Sequence, residues 1–152
     1  MSDPRITEWK HSGKTYLWRY KDNIRNYPGW HFTADEESCR AFEELFGVMN
    51  DAIYSGSCEI PLSLPTERIV SVPNNRNGKA RYSAAETLRL KYDPSKINLW
   101  NMVFDGSTGL IEFGKEYLER LRKGIEDIRN GEGDYAIGPM DKDMCFWIWW
   151  MI

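Results

Sequence analysis

Cys145-Phe146-Trp147-Ile148-Trp149-Trp150-Met151-Ile152 holds no charge, no Gly and no Pro. A helix that crosses a bilayer needs about 20 apolar residues, so a run this short leaves water inside the protein or against a partner. It reads as a strand whose two faces both want cover. Alternation sets Phe146, Ile148, Trp150 and Ile152 on one face and Cys145, Trp147, Trp149 and Met151 on the other.

Working back from that strand, Asp134-Tyr135-Ala136-Ile137 predicts a short neighbour, with Asp141-Lys142-Asp143 an acidic loop between the two. Tyr117, Leu118, Leu121, Ile125 and Ile128 recur at helical spacing between a Phe113-Gly114 entry and an Asn130-Gly131 stop. Glu116 with Arg120 and Glu119 with Lys123 are its i,i+4 pairs. Gly124 costs that helix about 1 kcal/mol against Ala, and it suits close approach by another element. Leu99–Phe104 and Leu110–Phe113 form a hairpin around Asp105-Gly106-Ser107-Thr108-Gly109. Thr87–Tyr92 alternates, with Leu88, Leu90 and Tyr92 inward and Arg89 and Lys91 outward.

Pro61, Pro65 and Pro73 break the middle of the chain, leaving a brief strand over Arg68–Val72 and a polar, basic loop from Asn74 to Lys79. Further back, Thr33-Ala34-Asp35-Glu36 has the form of a capping box. Cys39, Phe42, Leu45, Phe46, Met49 and Ile53 follow as one apolar stripe that stops at Ser55-Gly56. Trp30-His31-Phe32 is a short strand, and residues 8–20 predict a hairpin turning at His11-Ser12-Gly13-Lys14. The expectation is an α+β domain spanning 1–152: a mainly antiparallel sheet of about six strands, two amphipathic helices, and the C-terminal strand buried in the sheet. If both helices cover one sheet face, the rings on the other need the Pro-rich middle, a ligand or a second copy of the chain to cover them.

A chain of 152 residues is long enough to bury a core without metal or disulfide. Cys39, Cys58 and Cys145 include no Cys-x-x-Cys pair, which favours reduced thiols and a cytoplasmic setting. The polar start, Met-Ser-Asp-Pro-Arg, carries no signal-like apolar stretch. A net charge of −3 argues against a general affinity for nucleic acid or anionic membrane. Charge is nonetheless segregated: Asp35, Glu36, Glu37, Glu43, Glu44 and Asp51 against Arg40 in one stretch, and Arg68, Arg76, Lys79, Arg81, Arg89, Lys91 and Lys96 in another.

Motifs for phosphate loops, dinucleotide binding, zinc proteases and serine hydrolases are missing from the sequence. His11 and His31 are its two histidines, so His-rich metal centres are excluded and no metal or cofactor is implied. His31 stands near Asp35 and Glu36, where a carboxylate can orient an imidazole; solvent exposure or a structural hydrogen bond is the plainer reading. Cys39 lies inside the apolar stripe and reads as packing, while Cys58 sits on an irregular segment open to solvent. Asp134, Asp141 and Asp143 could supply oxygen ligands but lack the spacing of a calcium loop, and a solvated acidic loop is the plainer reading.

The function expected is a small, non-enzymatic binding protein that works through a macromolecular interface, as a regulatory or toxin-neutralising partner, with a homodimer as one form. Its partner-binding candidates are Glu36, Glu37, Glu43 and Glu44 on the acidic helix and Arg76, Lys79 and Arg81 on the basic loop. The alternative is a small enzyme or ligand-binding domain with an aromatic pocket on the sheet face, where His31, Asp134, Trp147 and Trp149 are the candidates.

Overall fold

The last strand pairs on both sides. In the computed structural model, which describes residues 1–140 and 144–152 and the backbone alone of residues 77 and 78, Phe146–Trp149 lies between Trp30–Ala34 and Asp134–Ile137. In chain order the elements are α1 (Pro4–Thr7), β1 (Thr15–Tyr20), β2 (Trp30–Ala34), α2 (Glu36–Asp51), β3 (Gly56–Pro61), α3 (Glu67–Val70), a 3-10 turn (Asn75–Gly78), β4 (Tyr82–Ala84), β5 (Thr87–Tyr92), β6 (Trp100–Asp105), β7 (Thr108–Phe113), α4 (Lys115–Arg129), β8 (Asp134–Ile137) and β9 (Phe146–Trp149). The strands form an α+β fold with two mainly antiparallel sheets, ordered β4-β1-β2-β9-β8 and β3-β5-β7-β6. Parallel pairing occurs where β9 meets β2, with Trp30 opposite Phe146, and where β7 meets β5. Asp141, Lys142 and Asp143 lie outside the described residues.

β9 feeds two cores. Phe146 and Ile148 join Leu17, Phe32, the apolar stripes of α2 and α4, and the inner face of the second sheet in the main cluster. Trp149 faces the other way, among Tyr16, Trp18 and Tyr20, with the half-buried Trp147 packed against that second cluster. Ile69 and Val70 of α3 and Ala80 complete the second cluster, so the Pro-rich middle covers this side of the first sheet. Pairing ends at Trp149; Trp150 and Met151 are half-buried and Ile152 is 49% exposed. Trp30 stacks on Phe104 with ring centroids 3.9 Å apart, tying the two sheets together.

Local chemistry moves several predicted boundaries. Residues 8–20 do not make a hairpin, because Trp9 packs on Phe42 and its indole donates to the Ala41 carbonyl at 3.1 Å; β1 pairs with β2 instead. Asp35, not Thr33, caps α2, accepting from the Ser38 amide at 2.9 Å, while Thr33 belongs to β2. α2 stops at Asp51 and leaves Ile53 exposed. Arg68–Val72 is not a strand: the Thr66 hydroxyl accepts from the Ile69 amide and winds Glu67–Val70 into one helical turn. Cys58 is buried on β3, contrary to the exposure expected of it.

The alternation of β5, the β6–β7 hairpin and α4 follow the sequence reading. Gly114 starts α4 where a Cβ would fall 1.3 Å from the Lys96 carbonyl oxygen, so only glycine fits. Glu116 pairs with Arg120 at 3.1 Å, whereas Glu119 takes Arg122 and Lys123 takes Asp127. Among the described residues no helix is long and apolar enough to cross a membrane.

Candidate functional site

The β1–β4 pairing brings together two basic segments more than forty residues apart in sequence. Tyr20 lies opposite Tyr82, and the ladder runs one step further as the Lys21 amide donates to the Arg81 carbonyl at 2.9 Å. Asp22 then staples them. Its carboxylate accepts from the Arg81 amide and from Arg81 Nη2, both at 2.9 Å, with Arg76 Nη1 at 3.7 Å. Asn75, fully buried, donates from Nδ2 to the Asp22 carbonyl at 2.9 Å. The Arg81 hydrogen bonds hold the Asp22 carboxyl down at about 2, so it stays charged at every physiological pH.

Around that single staple the charge is one-sided. Residues 19–25 and 67–81 carry Arg19, Lys21, Arg25, Arg68, Arg76, Lys79 and Arg81 against Asp22 and Glu67, in a chain whose net charge is −3. Beside them opens a hollow of about 520 Å3 whose lining includes Arg19, Tyr20, Ile24, Arg25, Tyr27 and Met140. Ile24 is 54% exposed and Met140 47% exposed there. Tyr27 stands between the hollow and the second cluster, with its ring 6.2 Å from both His31 and Trp147.

The acidic helix is different. Glu36, Glu37, Glu43 and Glu44 are all exposed on α2, but Glu36 meets Arg40 at 2.9 Å and both oxygens of Glu43 accept from Arg129 of α4 at 2.9–3.0 Å. The groove of about 670 Å3 between α2 and α4 alternates Glu36, Glu43 and Glu126 with Arg122 and Arg129, so its charges largely cancel.

His31 is fully buried. Indole nitrogen only donates, so the 2.9 Å bond from Trp149 Nε1 makes His31 Nδ1 the acceptor and leaves the ring proton on Nε2, toward the Tyr27 carbonyl at 3.3 Å. Burial holds this imidazole neutral, with its pKa drawn down to about 3. Trp147 donates from its indole to the Pro28 carbonyl at 2.8 Å, and its ring stacks on Trp149 and on His31. Asp134 is exposed on β8 opposite Trp149. His31, Trp147 and Trp149 therefore come together, and the basic-loop residues come together elsewhere.

Other reactive groups are closed off. Cys39, Cys58 and Cys145 form no disulfide and are buried, and burial pushes the Cys39 and Cys58 thiols up to about 12. His11 Nε2 lies 2.8 Å from the Thr15 hydroxyl and 3.2 Å from the Ser38 hydroxyl, but Thr15 and Ser38 are wholly buried, which suits a structural hydroxyl network at the start of α2. Among the described residues no three His, Cys, Asp or Glu side chains are grouped to hold a metal ion.

Sequence reasoning named Arg76, Lys79 and Arg81 as candidates and did not name Arg19, Lys21, Asp22 and Arg25, although Asp22 pairs with Arg76 and Arg81 and the Lys21 amide donates to the Arg81 carbonyl. The signal was present as three cations within Arg19-Tyr20-Lys21-Asp22-Asn23-Ile24-Arg25, yet nothing local says that this run lies beside the loop. No family model matches the chain, and neither a curated protein nor a solved structure is significantly similar to it.

Proposed function

We propose that this chain is a binding protein whose working surface is the basic face around Asp22, and that it docks an acidic protein partner there. The observation that carries this reading is that Arg19 and Arg25 line an apolar hollow while strand pairing and the Asp22 staple set Lys21, Arg76 and Arg81 close by, in a chain whose net charge is −3. An apolar centre with a charged rim is the anatomy of a protein interface, and a one-sided field raises the encounter rate with an oppositely charged partner. The ionisable groups of the rim are arginines, lysines and an aspartate that ionises at about 2. Permanent charges of this kind attract and orient; they do not shuttle protons near neutral pH.

A partner that uses its own acidic surface to work would be masked by this face, which is the form a regulatory or neutralising role takes here. The test is fluorescence anisotropy with a labelled poly-glutamate peptide at low and high salt. Binding that weakens with salt and falls about tenfold or more in Arg25→Glu/Lys79→Glu, with the circular dichroism unchanged, supports the reading. Absence of binding overturns it, as does equal loss in Glu37→Lys/Glu44→Lys. Tighter binding of a single-stranded DNA of matched charge transfers the face to nucleic acid.

A further inference from the structure

We infer that the partner segment carries a large apolar residue, aromatic or long aliphatic, flanked within one or two positions by carboxylates, and that this residue seats in the hollow between Ile24 and Met140. This inference rests on the basic-face reading and names the recognition chemistry of the same site. Three observations converge on it.

The hollow, at about 520 Å3, is in the size range of pockets that engulf a compact ligand, about 300–1,000 Å3. Simple polyanion binding needs no such depression, because a flat array of cations serves it equally well. Its walls are also wrong for charge alone. Tyr20 and Tyr27 are among its lining residues, Pro28 and Gly29 bring no ionisable group, and two large apolar side chains stand exposed at its margin. Methionine is unbranched and polarizable, so Met140 adapts to the shape of an inserted ring.

The cations are placed at the edge of this apolar surface. Arg19 and Arg25 both line the hollow, and Arg25 makes no ion pair among the described residues. A guanidinium fork matches a carboxylate with two parallel hydrogen bonds, which fixes the segment's register in a way a lysine ammonium does not. Lys79, exposed and close to the staple in sequence, suits a longer acidic run, while Arg81 is held on Asp22. A partner with acid alone leaves Ile24 and Met140 in water, and one with an apolar residue alone leaves Arg25 without an ion pair among the described residues.

The test compares two fluorescein-labelled ten-residue peptides of Glu and Asp, identical except for a central Phe or Ser. The Phe peptide is expected to bind wild type at least about tenfold more tightly, about 1.4 kcal/mol. Ile24→Ser/Met140→Ser, at two exposed positions, should bring the Phe peptide to the affinity of the Ser peptide and leave the Ser peptide unchanged. Equal, salt-sensitive binding of both peptides overturns the anchor while the basic face stands. Binding of neither overturns both. An unaltered Phe preference in Ile24→Ser/Met140→Ser also overturns the anchor, since the apolar residue then seats elsewhere.

Discussion

His31 has its charge settled by its neighbours. A proton on Nδ1 would oppose the indole N–H of Trp149 at 2.9 Å, and the ring has no exposed surface through which water solvates the cation. The folded pKa of about 3 lies below the ordinary value of 6.5, so between those limits the unfolded chain binds a proton that the folded chain does not. Stability from this group is complete above pH 6.5 and is lost as pH falls toward 3, at about 1.4 kcal/mol per pH unit. Chemical denaturation at pH 7.0 and 5.0 should therefore show wild type losing about 2 kcal/mol through this residue. His31→Gln, which keeps an acceptor for Trp149 and does not titrate, should remove that part of the slope. His11, also lowered by burial, contributes in the same direction to both proteins and cancels in the comparison. Parallel slopes would mean that His31 is not held neutral.

Elements were legible where their signal is local. The stripe of α2 from Cys39 to Met49, the Phe113-Gly114 entry to α4 and the alternation of β5 depend on residues close in sequence, and each stands where its pattern put it. Ile69-Val70-Ser71-Val72 shows the converse: its β-branched residues read as a strand, but no neighbouring strand needs it, and the Thr66 cap plus burial against the rings of β1 make a helical turn the better solution. Trp9 illustrates the same competition, since a side chain able to reach α2 outbids a local hairpin. Gly124 was legible as a point of close approach, and its neighbour is now identified: a Cβ there would sit 3.0 Å from Ile148 Cδ1 and 3.1 Å from Cγ1. Gly124→Ala sets a helix gain of about 1 kcal/mol against crowding of about 1–3 kcal/mol. Ile148→Val removes Cδ1 and alone costs about 0.5–1.5 kcal/mol. In a double-mutant cycle, the pair should be more stable than the sum of the singles by at least about 0.5 kcal/mol. Simple additivity would show that α4 and β9 do not meet at this point.

For the whole molecule, the sequence showed that the terminal strand needs cover on both faces but not what provides it. Coverage comes from opposite ends of the chain's middle: α2 and α4 with the second sheet on one side, and the α3 turn with Ala80 on the other. The charge map was half-legible for the same reason, because strand pairing and not sequence proximity sets Arg19 and Lys21 beside Arg81. β9 is thus a shared wall, and its side chains should differ in worth by depth. Trp149 is 6% exposed, touches Trp18's cluster and donates to His31, whereas Ile152, three residues on, is 49% exposed. Trp149→Ala removes a large ring and leaves His31 Nδ1 without its donor, so it should cost about 3–5 kcal/mol, a large share of the 5–15 kcal/mol typical of a folded chain. Ile152→Ala should stay within about 0.5 kcal/mol. Urea denaturation read by far-ultraviolet circular dichroism, with native mass measured in parallel, separates the outcomes. A stable Trp149→Ala with altered mass would place that ring between molecules, and the second cluster would then be an interface instead of the far side of the first sheet's own core.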